Sequence, residues 1–135
     1  MPFGEKWMMR KLIMVFGVGL VVTAPALAQE AHPGEKVFGK CKACHQLGEN
    51  AKNAIGPVLN GLIGRKSGTV AGYNYSEANK ASGLTWDEKT FADYIKDPKG
   101  KMPGNKMLFA GLKTEQEVTD LTAYLKQFGA DGKKP

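Results

Sequence analysis

The run Cys41-Lys42-Ala43-Cys44-His45 is the part of the chain best equipped for chemistry. On a helical turn, residues three apart share one face, so both thiols reach the two vinyl groups at one edge of a porphyrin. The histidine that follows then stands ready to ligate the iron. This is the C-x-x-C-H pattern of covalent c-type haem attachment, in which both thiols are consumed as thioethers. Two other chemistries draw on similar residues. A C-x-x-C dithiol site sits at a helix N-terminus within a βαβ pattern, and no stretch of this sequence alternates like a β-strand. A zinc site normally takes four ligands, and His32 and His45 are the only histidines.

Iron held by one histidine has a sixth position to fill. His32 falls in the N-terminal tail and reads as a solvated side chain. Met102 and Met107 lie in a loop with Pro103 and Gly104, distant in sequence from His45. A methionine is more often core filler, but a thioether in a proline-braced loop suits rigid presentation to iron. Two strong axial ligands would leave no open position, which favours electron transfer over oxygen or substrate chemistry.

The elements that must position these residues are short. Val37, Phe38, Cys41 and Cys44 recur at steps of three and four, predicting a helix over 34–44. From 46 to 72 glycine recurs without a regular element, a stretch too long for a connector and suited to wrapping something other than protein core. Residues 75–79 allow one or two helical turns. Thr85 with Glu88 makes a capping box for a helix through Phe91, Tyr94 and Ile95 that Pro98 ends. Thr114 with Glu117 repeats the box before Val118, Leu121, Leu125 and Phe128, with Gly129 as the stop.

Composition narrows the class. A length of 135 residues suits one domain, and 42% hydrophobic residues exclude a disordered or collagen-like chain. Two cysteines cannot build a disulfide scaffold. Lys6, Arg10 and Lys11 precede the uncharged run 12–22, and Ala26-Leu27-Ala28 follows, so residues 1–28 read as a secretory signal peptide and 29–135 as the exported domain. The competing reading is a membrane anchor retained at the N-terminus, although the apolar run is short of the ~20 residues a spanning helix needs. Cleavage lowers the formal net charge from +6 to +4. An exported, mildly basic domain suits an acidic protein partner or an anionic membrane surface better than nucleic acid.

Residues 34–128 resemble the small class I c-type cytochromes. GEKVFGKCKACH, GPVLNGLIGR, YNYSEANKASGLTW, MPGNKMLFAGL and a final helix ending AYLKQF follow one another in that family's order. The segment between Phe38 and Cys41 is one residue shorter than in mitochondrial members, which favours a bacterial type. The resemblance implies an all-α fold of short helices wrapped around one haem c, bound through Cys41 and Cys44 with its edge exposed. It implies His45 and Met107 as axial ligands, Met102 as a pocket or core side chain, and the Pro57 carbonyl as acceptor for the His45 imidazole. Arg65, Tyr75 and Trp86 match positions that hold the propionates, and Asn79 and Tyr94 match polar residues near the sulfur. Asn105 replaces a threonine that in many relatives stands beside a propionate. Lys40, Lys52, Lys99, Lys106 and Lys113 match a partner-binding lysine ring, and Phe109 an interface aromatic.

The function so implied is that of a monomeric periplasmic one-electron carrier rather than an enzyme. It would take electrons from a quinol-oxidising cytochrome complex and deliver them to a terminal oxidase, reductase or photosynthetic reaction centre. The alternatives are a dithiol oxidoreductase and a peroxidase-like or ligand-binding haem protein in which methionine is not bound.

Overall fold

Pro33 stands at the first turn of helix α1, Pro33–Phe38, where its missing N–H costs nothing. The computed structural model describes residues 32–135 and, before them, Gly19 alone, so the expected signal peptide lies otherwise outside the described residues. His32 is not a free tail side chain. Its Nδ1 accepts the Gly34 N–H at 3.0 Å, capping α1, and its ring packs 5.6 Å from that of Tyr124. The helix predicted over 34–44 breaks at Gly39, and the chain continues through single turns to His45.

Helix α2, Glu77–Ala81, opens on the Ser76 hydroxyl. Helix α3, Glu88–Lys96, starts as predicted, but Asp87 rather than Thr85 caps it, its carboxylate accepting the Thr90 N–H at 2.7 Å. Thr85 is spent elsewhere, in an isolated antiparallel bridge to Lys66 that ties the glycine-rich stretch to the base of α3. Pro98 does not only end α3: it begins the short α4, Pro98–Lys101, capped by the Asp97 side chain. Helix α5, Glu115–Lys126, has the predicted cap, with the Thr114 hydroxyl accepting the Glu117 N–H at 3.2 Å. It stops at Gln127, two residues before Gly129, through tightened i to i+3 bonds. The five helices are the only regular elements among the described residues.

The terminal helices make the main packing contact, α1 against α5. Val118, Leu121 and Leu125 are at most 2% exposed there, with Phe38 and Phe128 completing the layer. Gly34 sits where the helices touch, and a Cβ on it would run into the Asp120 carbonyl and Tyr124 Cβ. Gly34→Ala must therefore separate the helices. It is expected to destabilise the holoprotein by ~1–3 kcal/mol in thermal unfolding while leaving its absorption spectrum unchanged.

Candidate haem site

A cavity of about 520 Å³ lies between the 41–45 turn, the 55–65 loop, residues 73–79, α3, α5 and the 105–109 loop. That volume suits one organic cofactor. Residues 41–45 form a single helical turn, with the His45 N–H bonded to the Cys41 carbonyl at 2.9 Å, so Cys41, Cys44 and His45 all line one wall. Both sulfurs are half-buried and form no disulfide with each other. Burial, and then the neighbouring Cys44, push the Cys41 thiol up to about 11 against the pull of Lys40. A dithiol catalyst needs the reverse, a thiolate near neutral pH. A thioether has no proton to lose and is unharmed by burial.

The His45 ring is fixed from behind. Its Nδ1–H donates to the Pro57 carbonyl at 2.7 Å, which leaves the lone pair on Nε2. Burial lowers the imidazole pKa; the Pro57 bond opposes that shift and Arg65 adds to it, so the ring stays neutral and able to ligate. Gly56 is buried against this ring, and a Cβ there would overlap its atoms. The glycine of the Gly-Pro pair thus makes room for the imidazole that the proline orients.

Of the two loop methionines, only Met107 lines the cavity; Met102 is 4% exposed and part of the core. The Tyr94 hydroxyl donates to the Met107 sulfur at 3.4 Å, and burial pushes that phenol up to about 12, so it keeps its proton. Trp86 stacks against Tyr94 with ring centroids 4.8 Å apart. Asn79 also lines the cavity and accepts the Ser67 hydroxyl at 2.7 Å.

The half-buried Arg65 guanidinium also reaches the cavity, held by the Val58 and Asn60 carbonyls at 3.1 and 2.9 Å. Burial lowers its pKa, and no carboxylate pairs with it among the described residues. A half-buried cation with no carboxylate partner beside an apolar cavity suits an occupant that brings its own anionic groups. Tyr75, buried beside it, accepts the Val70 N–H at 3.0 Å. Asn105, whose contact with a propionate the sequence leaves undecided, gives both its amide protons to backbone carbonyls.

The lysine positions divide. Lys40 and Lys106 line the cavity with Phe109; Lys52, Lys99 and Lys113 do not. Lys40 is paired with Glu117, whereas Lys52 and Lys99 are in no ion pair among the described residues. Sequence reasoning missed Tyr73, which lines the cavity, stacks edge-on to Tyr75 at 4.8 Å and donates to the Ile55 carbonyl at 2.8 Å. The i, i+2 spacing of the two tyrosines was the available signal, since extended backbone puts such residues on one face.

A helical shell closed around one cavity, with two cysteines and a histidine on a single turn of its wall, defines a protein built around one tethered prosthetic group. The cytochrome c family profile matches residues 31–129. The chain is 59% identical to cytochrome c2 of Blastochloris viridis over 126 residues, 93% of this chain and 99% of that one. It is 56% identical to cytochrome c-554 of Methylosinus trichosporium, over 91% of this chain and 95% of that one. The solved cytochrome c2 of Rhodospirillum centenum superposes with a TM-score of 0.67 at 42% identity, covering 71% of this chain and 95% of that structure. The chain belongs to the cytochrome c family, with the class I fold. It carries one haem c, bound covalently through Cys41 and Cys44, and is an electron carrier rather than an enzyme.

Gly56→Ala is expected to differ from Gly34→Ala in kind. Both lower the melting temperature, but displacement of His45 by the new methyl also alters the haem absorption spectrum. An unchanged spectrum in a folded Gly56→Ala protein would refute the packing role.

Proposed function

We propose that the protein is a periplasmic one-electron carrier in which His45 and Met107 ligate the haem iron from the two sides of the cavity. The observation that carries this reading is the pairing of a neutral, back-bonded imidazole with one of two loop methionines in the same apolar cavity. The bound haem supplies the one-electron chemistry. The chain supplies a fixed frame: the Pro57 carbonyl keeps His45 oriented, and the Tyr94 hydroxyl holds the Met107 sulfur. Arg65, Tyr75 and Trp86 would hold the propionates, with Asn79 as a polar part of the lining. Thioether ligation favours the reduced iron and gives a high potential, which suits a carrier between a quinol-oxidising cytochrome complex and a terminal oxidase, reductase or photosynthetic reaction centre.

Export rests on the residues 1–28 leader, and among the described residues no helix is long and apolar enough to cross a membrane. The carrier works as a monomer and meets the membrane through its partners. Lys106 stands at the cavity with Lys40, its Nζ donating to the Asn74 carbonyl at 3.1 Å, and these two, with Lys52, Lys99 and Lys113 outside the cavity lining, would supply the positive charge that meets acidic docking sites. Phe109 joins that interface.

The ligand assignment predicts a weak sulfur-to-iron band in the red for the oxidised protein. Met107→Ala should abolish it and Met102→Ala should keep it; a band that survives Met107→Ala overturns the assignment. The collar predicts that Lys106→Glu slows electron transfer to an acidic partner severalfold at low salt, with the difference fading as salt is raised. Equal rates at low salt would refute Lys106 as a docking residue.

A further inference from the structure

The 102–107 loop contains one side chain whose bonds all run within the loop and to its base. Asn105 Nδ2 donates to the Pro98 carbonyl at 2.9 Å and to the Met102 carbonyl at 2.7 Å, while its Oδ1 accepts the Met107 N–H at 2.7 Å. Its own N–H adds a fourth bond to the Met102 carbonyl at 3.1 Å. Two of the residues it grips are core anchors: Pro98 is among the most deeply buried side chains and Met102 is 4% exposed. The third is the backbone of Met107, whose side chain enters the cavity. A primary amide is the one short side chain with two donors and an acceptor in a plane, so it alone satisfies all three partners.

We propose that Asn105 is the positioning residue that references the Met107 sulfur to the protein core. The proposal rests on Met107 being an axial ligand. Without the clamp, the loop between Met102 and the Leu112 N–H, which bonds the Ile95 carbonyl at 2.9 Å, keeps only the Tyr94 hydroxyl on the Met107 sulfur and the exposed Lys106 bond to the Asn74 carbonyl to hold Met107 in place. Removing the amide therefore raises the population in which the sulfur has left the iron. An exogenous ligand binds only that population, so its apparent affinity rises in proportion.

The test titrates imidazole into the oxidised holoprotein and follows the red sulfur-to-iron band. Each lost bond is worth a few-fold in the opening equilibrium, so Asn105→Ala should bind imidazole roughly 10- to 100-fold more tightly than the parent. Asn105→Asp keeps the acceptor but turns a second oxygen toward two carbonyls, and should behave as Ala does. Asn105→Thr retains one donor and one acceptor and should fall between, which also covers the case in which the Ala variant fails to fold. Exposed Lys101→Ala, on the same segment, is the control and should match the parent. A rank order of parent, Thr, Ala in imidazole affinity supports the clamp, whereas a general loss of stability would lower the melting temperature without that order. Unchanged affinity in folded Asn105 variants, with the band lost in Met107→Ala, overturns the proposal. A band retained in Met107→Ala overturns the ligand reading instead.

Discussion

A cavity at the centre of so short a chain leaves the helices without enough of one another to bury. Leu121 and Leu125 of α5 are each 1% exposed, yet both line the cavity, as do Phe91, Tyr94 and Ile95 of α3. Part of their apolar surface is turned toward the space the haem fills, beside the part that packs on other helices. A domain of this size buries a smaller share of its surface than a large one and commonly needs a metal, disulfide or cofactor to be stable. Here the two cysteines that are too few for a disulfide scaffold supply the staple by holding the cofactor. The packing of α1 on α5, the other half of the core, then closes the shell over one side of it.

With few regular elements, side chains do the work that ladders of backbone bonds do elsewhere. Asn60 holds Gly48 at both N–H and C=O, at 2.9 and 2.8 Å. Asn53 accepts the Val58 N–H and donates to the Ala71 carbonyl, both at 3.0 Å, and Tyr73 bonds the Ile55 carbonyl. These bonds bracket Gly56 and Pro57, so the carbonyl that orients His45 is itself part of a pinned loop. Asn105 plays the matching part on the methionine side.

The sequence made the chemistry more legible than the frame. Residues 41–45 act together because they are adjacent, and the helical periodicity of α3 and α5 follows from apolar spacing alone. What escaped was set by tertiary competition. Thr85 was the expected cap of α3, but its backbone is drawn into pairing with Lys66, leaving Asp87 to take the N–H groups. His32 looked like a tail residue because nothing local shows that Tyr124 comes to meet it. Met102 and Met107 are indistinguishable by composition; the family resemblance singles out Met107, and the folded loop puts Met102 in the core and Met107 in the cavity. The clamp by Asn105 was hidden for the same reason, since its partners lie up to seven residues away, across the short α4 and the loop that follows it.

The two sides of the cavity are therefore held by different physics. On the His45 side, the proposed ligand, both tether points and the turn that carries them are contiguous, and breaking the imidazole away would strain covalent bonds and the Pro57 contact together. On the Met107 side, the thioether is 62 residues further along and depends on non-covalent bonds within one loop. Individual hydrogen bonds contribute only ~0.5–1.5 kcal/mol each, so under the proposed ligation several would have to act together to keep a neutral sulfur on the iron. Tyr94 at the sulfur, Asn105 at the Met107 N–H and the buried anchors Pro98 and Met102 form such a set. Because that set can be loosened bond by bond, whereas the tethered side cannot, changes in ligation should begin on the methionine side.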